Sequence, residues 1–138
     1  MTPEELQSRI IYKDKLIIAI NKPTGLPVHA GPNGEPCLED YFEDLCFDYH
    51  HPPHLAHRLD RDTSGCIILG RNKKGLRKMG KLFETRQIKK TYWAIVHGGP
   101  KEESGTVNDW LNKSFKGKLK PNEKIALVQF YQQFASFE

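Results

Sequence analysis

The stretch "AHRLDRDTSGCIILGRNKKGLRKMGKLFETRQ", residues 56–87, sets three unlike patterns end to end. Four charges fall within five positions, Arg58, Asp60, Arg61 and Asp62, and Thr63, Ser64 and Gly65 close the cluster. Residues 66–70, "CIILG", form a short continuous apolar run ending in glycine, the pattern of a buried central strand. Beyond it Leu76, Met79, Leu82 and Phe83 recur at helical spacing, leaving Lys74, Arg77, Lys78 and Lys81 at i, i+3, i+4, i+7 on the other side. A charged turn that enters a strand, followed at once by an amphipathic helix, predicts a sheet with a helix packed on it.

Toward the N-terminus, "IIYKDKLIIAINKPTG" reads as two β segments, residues 10–12 and 16–21, joined by residues 13–15 and stopped by Pro23 and Gly25. "PVHAGPNGEP" is a loop by its proline and glycine content. The following "CLEDYFEDLCFDY" places Leu38, Tyr41, Phe42 and Leu45 on one helical stripe with acids opposite, an acidic amphipathic helix that "DYHHPPH" then breaks. Toward the C-terminus, "IKKTYWAIVHGG" is β-branched and aromatic enough for a strand, with Tyr92, Ala94 and Val96 on one face. After residue 100 a strand edge, a lysine-rich loop and a final apolar strand are expected. Strands and helices alternate irregularly, which predicts an α+β fold: a mixed, mostly antiparallel sheet flanked by helices.

A chain of 138 residues suits one domain, residues 1–138, and 38% apolar against 28% charged residues is a globular rather than a disordered balance. The longest clean apolar run, residues 16–20, falls far short of the roughly twenty residues a membrane helix needs. "MTPEELQS" carries acids where an export signal carries bases, and Cys37, Cys46 and Cys66 lack paired metal-type spacing, so a cytoplasmic protein with reduced thiols is expected. The net charge of +4 conceals a division: residues 1–70 hold six Lys and Arg against eleven Asp and Glu, whereas residues 71–138 hold fifteen against six. Residues 71–90 contain nine Lys and Arg, Arg71 among them, opposed only by Glu84. On an ordered element such density suits a phosphate backbone, although a solvated helix face has the same composition.

Asp60 stands between Arg58 and Arg61, and adjacent guanidinium charge favours an ionised carboxylate suited to nucleophilic or electrostatic work. The same spacing equally describes Asp60 and Asp62 as turn residues paired with those arginines. The motif as a whole is more specific. Residues 57–65 resemble the His-Arg-Leu-Asp-x-x-Thr-Ser-Gly signature of the RluA family of pseudouridine synthases, matching at His57, Arg58, Leu59, Asp60, Thr63, Ser64 and Gly65. "INKPTGLPVHAG" resembles the family's strand followed by Lys-Pro-x-Gly, and "KKTYWAIVHG" its Lys-x-Tyr-x-Ala strand, so the similarity runs from about residue 10 to residue 99.

The resemblance implies an enzyme isomerising uridine to pseudouridine in ribosomal or transfer RNA. It implies Asp60 as the catalytic aspartate, Arg58 holding the target nucleotide out of its stack, and Tyr92 packing its ring on the flipped uracil. The isomerisation breaks the bond from ribose to base nitrogen, rotates the base and bonds the ribose to a ring carbon, with no net oxidation, so no cofactor and no metal is expected. Extruding a base costs a few kcal/mol, and stacking on an aromatic ring returns about 1–3 kcal/mol; the helix around residues 73–86 would grip the RNA backbone.

Relatives of this type carry a later Thr-Gly-Arg-x-His-Gln-Ile-Arg segment, and nothing similar precedes the closing "FYQQFASFE". The expectation is therefore a partial catalytic domain without a separate N-terminal RNA-binding domain, with an uncovered sheet edge that a homodimer would cover. The alternative is an RNA-binding remnant that keeps the Asp60 loop without turnover. A metal site from Cys46, His50, His51, His54 and His57 is disfavoured, because Pro52 and Pro53 interrupt any helix that would align those side chains.

Overall fold

An antiparallel ladder is built first by local turn chemistry. In the computed structural model, which describes residues 1–93, the Asp14 carboxylate accepts the backbone N–H groups of Leu16 and Ile17 at 2.7 and 2.8 Å. This Asx-type turn reverses the chain between β1 (Ile10–Lys13) and β2 (Ile17–Lys22). The two N–H donors hold the carboxyl below the usual carboxylate range, the Ile17 bond contributing most. Expected and observed strands agree here to within a residue.

The run 66–70 is the strand expected from its apolar character: β4 (Gly65–Gly70) pairs with β2 along its whole length, from Ile17 opposite Gly70 to Lys22 opposite Gly65. A short β3 (His54–Leu55), beyond the two prolines, pairs with the far side of β4. The described sheet has the order β1-β2-β4-β3 and every pairing in it is antiparallel.

Alternation decides what each face meets. Ile18, Ile20, Ile67 and Leu69 point to one side, where they form the core with Leu6, Leu38, Phe42, Leu45 and Leu59. Leu6 comes from α1 (Pro3–Ser8), which is closed at its start by a reciprocal capping box between Thr2 and Glu5. Leu38, Phe42 and Leu45 come from residues expected to form an acidic α-helix. The stripe is buried as expected, but the element is a 3-10 helix, Leu38–Leu45. Asp40 uses its carboxylate to accept the Cys37 N–H, four acids crowd the element, of which Glu39 meets the His29 ring, and Phe47 adopts a left-handed φ of 50° just past its end.

The opposite side is covered by α2 (Lys73–Glu84), whose Asn72 cap accepts the Gly75 N–H at 2.9 Å and donates to the Lys15 carbonyl. The helix lies close: a Cβ at Gly75 would collide with the Leu16 carbonyl oxygen, and one at Gly70 would come within 2.6 Å of the Leu76 nitrogen.

The chain divides into two compact units, Met1–Ile88 and Lys89–Glu138. Residues 88–93, the described start of the strand expected over 88–99, form no strand; the remainder of that segment and the expectations beyond residue 100 lie outside the described residues. No helix among the described residues is long and apolar enough to cross a membrane.

Candidate active site

Between β3 and β4 the chain alternates in burial: Arg58 is exposed, Leu59 is sunk in the core and Asp60 is exposed again. Leu59 is thus an anchor that leaves its neighbour's carboxylate on the outside. The Thr63 N–H donates to the Asp60 carbonyl at 3.1 Å, closing a turn, and Gly65 adopts a φ of 116°, open to glycine at no steric cost, as the chain enters β4.

A second loop braces the first. Lys22 ends β2 on the same face as Ile18 and Ile20, and it is 1% exposed. Its ammonium donates to the carbonyls of Pro23, Leu26 and Arg61 at 2.9, 2.8 and 3.0 Å, so three donors find three acceptors and the last joins the Asp60 turn to β2. Thr24 adds a bond from its hydroxyl to the Asp62 carbonyl at 2.8 Å, and Arg61 returns one from Nε to the Gly25 carbonyl at 3.2 Å. Burial pulls the Lys22 amine below its ordinary value, while the charges of Asp62 and Asp60 oppose that shift.

Among the described residues, then, the buried cation that supports the Asp60 turn comes from Lys22. The expectation that Arg58 and Arg61 flank and hold the Asp60 carboxylate is corrected: Arg61 pairs with Glu35 at 2.9 Å, and Arg58 is exposed without a salt bridge among the described residues. The reason is geometric, since Arg61 reaches across to the proline-rich loop that carries Glu35, and Arg58 and Asp60 flank a buried residue. Arg58 and Asp60 do share one exposed turn. Tyr92, also exposed, belongs to the second compact unit.

Sequence reasoning passed over Lys22 as a functional support. The signal was present: a lysine that continues the alternation of Ile18 and Ile20 must bring its amine into the core side of the sheet.

Of the basic stretch, Lys73, Lys74, Arg77, Lys78 and Lys81 are all exposed on α2, as the helical spacing requires. Arg71 is not part of that surface. It is buried, donates from Nη1 to the Asp14 carbonyl at 2.6 Å and lies 4.6 Å from the Tyr49 ring centre, so it joins the end of β4 to the β1–β2 turn. His57, a member of the disfavoured metal set, accepts the Ile68 N–H at Nε2. Among the described residues no group of three or more His, Cys, Asp or Glu side chains is arranged to hold a metal ion.

The site is thus an exposed carboxylate on a doubly braced turn, in a chain whose following helix is basic. A family model described as RNA pseudouridylate synthase matches residues 16–136. The chain belongs to the RNA pseudouridylate synthase family. It is 43% identical over 103 residues to an uncharacterised RNA pseudouridine synthase of Zymomonas mobilis, a match covering 75% of this chain and 47% of that protein. It is 41% identical over 103 residues to a mitochondrial pseudouridylate synthase of Homo sapiens, covering 72% of this chain and 27% of that one. Among solved structures it resembles the human RNA pseudouridylate synthase domain containing 4, with a TM-score of 0.54 and 38% identity over 62% of this chain and 33% of that one. The α+β expectation, an antiparallel sheet with helices, agrees with this synthase fold. The chain spans less than half the length of each of these relatives.

Proposed function

We propose that the chain is an RluA-type pseudouridine synthase that isomerises uridine in ribosomal or transfer RNA with Asp60 as its catalytic carboxylate. The observation that carries this reading is the Asp60 turn itself: an acid kept outside by Leu59 below it and fixed from the side by Lys22 and Thr24, in a chain of this family. A side chain that only capped a turn would not require a buried ammonium committed to the neighbouring backbone.

Each part has a physical task. The extruded uridine enters beside Asp60, and the Arg58 guanidinium occupies the space the base has left and meets backbone phosphate. The Tyr92 ring stacks on the uracil. Lys74, Arg77, Lys78 and Lys81 hold the phosphate backbone, contributing affinity without sequence choice. The C1′–N1 bond breaks, the base turns, and C1′ bonds to C5; N1 gains a proton and C5 releases one, so atoms and charge balance without any redox partner.

The release of the C5 hydrogen gives the test. RNA labelled with tritium at uridine C5, incubated with the full chain, should lose tritium to water, and Asp60→Asn should lower that rate by about 10³-fold or more, the scale of losing a group that acts in the transition state. Retained RNA binding with no tritium release from the unaltered chain would instead support the non-catalytic remnant.

A further inference from the structure

The strand β3 ends in an unusual way. It pairs with β4 through His54 opposite Gly70 and Leu55 opposite Leu69, and the next residue continues the ladder, with the Ala56 N–H donating to the Ile68 carbonyl at 3.1 Å. In an antiparallel ladder such a pair exchanges two bonds, so the Ile68 N–H should return to the Ala56 carbonyl. It donates instead to Nε2 of His57 at 3.0 Å. The imidazole replaces a peptide carbonyl, and the backbone leaves the sheet one residue earlier than the ladder would otherwise permit without stranding an N–H.

Two further contacts fix the ring and the segment after it. The His57 ring lies 4.5 Å from the Phe83 ring of α2, tilted by 37°, so the side chain that ends the ladder also touches the basic helix. Two residues on, Leu59 enters the core. Arg58 therefore lies between two anchors, the His57 ring before it and the Leu59 side chain after it, and Asp60 follows the second directly. Because a backbone N–H can only donate, Nε2 must be the unprotonated nitrogen of the ring.

We propose that His57 is a positioning residue for Asp60: its imidazole substitutes for the Ala56 carbonyl in the β3–β4 ladder, and that substitution sets where the chain departs to form the Asp60 turn. This rests on the reading of Asp60 as the catalytic carboxylate. The role predicts which replacements work. Glutamine presents an oxygen acceptor at a reach comparable to Nε2, whereas leucine fills the space beside Phe83 and accepts nothing.

The test uses the full chain in three forms: unaltered, His57→Leu and His57→Gln. In the unaltered protein, nuclear magnetic resonance should show a scalar coupling across the N–H···N bond between the Ile68 amide and His57 Nε2. In His57→Leu, amide exchange at Ile68 and through residues 58–63 should rise by about tenfold or more. Its kcat for tritium release should fall by about tenfold while KM stays within about twofold, and His57→Gln should restore both measurements. Absence of the coupling, or unchanged exchange in His57→Leu, would overturn the proposal, as would a Gln variant that behaves like Leu. The coupling needs no variant and decides the matter even if His57→Leu does not fold. An unaltered chain without turnover would overturn the reading of Asp60 alone, with coupling and exchange still deciding the role of His57.

Discussion

A lysine whose ammonium leaves water must have its hydration replaced, and Lys22 takes three backbone carbonyls for the purpose. Lys22→Met would keep the stem and remove the donors, so we expect a loss of about 3 kcal/mol in urea unfolding, since hydrogen bonds from a charged donor contribute about 1.5–3 kcal/mol each and do not add fully. The pH dependence has a definite sign. The folded-state pKa is lowered, so between that value and the ordinary lysine value of about 10.4 the unfolded chain binds more protons than the folded one, and stability rises with pH. Below the folded-state value both states are protonated and the slope vanishes. Measured as the difference between the unaltered protein and Lys22→Met, stability should be flat at the low-pH end and should widen in favour of the unaltered protein as pH climbs toward the ordinary lysine value.

Between elements, the decisive contact is the approach of α2 to the β1–β2 turn. Gly75 sits in the first turn of the helix, and its missing Cβ is what lets the helix start rest on the Leu16 carbonyl. A backbone oxygen cannot move aside as a flexible side chain does. Gly75→Ala should therefore displace α2 bodily and cost about 3 kcal/mol, the upper end for overpacking, visible as a lower midpoint in thermal unfolding. Gly80, on the same helix, has open space where its Cβ would be. Gly80→Ala should leave the midpoint unchanged or raise it slightly, because alanine favours helix by up to about 1 kcal/mol over glycine. The pair separates close approach from helix propensity.

Across the whole molecule the charge division matters most. Acids predominate in residues 1–70 and bases in residues 71–138, and the bases of α2 give the described part its cationic face. If that face holds phosphate, replacing Arg77, Lys78 and Lys81 together by glutamine should weaken RNA binding similarly for every sequence tested. The slope of log affinity against log salt should become shallower by about 2 for single-stranded RNA. An unchanged slope would assign those residues to solvation alone.

Much of this was legible in the chain because it is local. The alternation of Ile18 and Ile20, the apolar run into Gly70 and the helical spacing of Leu76 and Met79 are written in neighbouring residues, and the strands and helix they predict are present. The nine-residue match at residues 57–65 singled out Asp60 for the same reason. The 3-10 form of Leu38–Leu45 was less accessible, since a buried stripe fits either helix and the Asp40 bond to the Cys37 N–H caps either one. The task of each charge was not legible at all. Arg71 and Lys74 stand three positions apart in one basic run, yet Arg71 is buried against Tyr49 and Lys74 faces solvent. Arg61 reaches Glu35 across 26 positions and Lys22 reaches the Arg61 carbonyl across 39, distances over which sequence carries no geometric constraint until the sheet brings both loops to one end. Short-range pattern was therefore enough for β1, β2, β4 and α2 and for the candidate carboxylate, but not for α1 or β3. Which cation braces its turn depended on the folded arrangement, because electrostatic partners are chosen by proximity in space and not by separation along the chain.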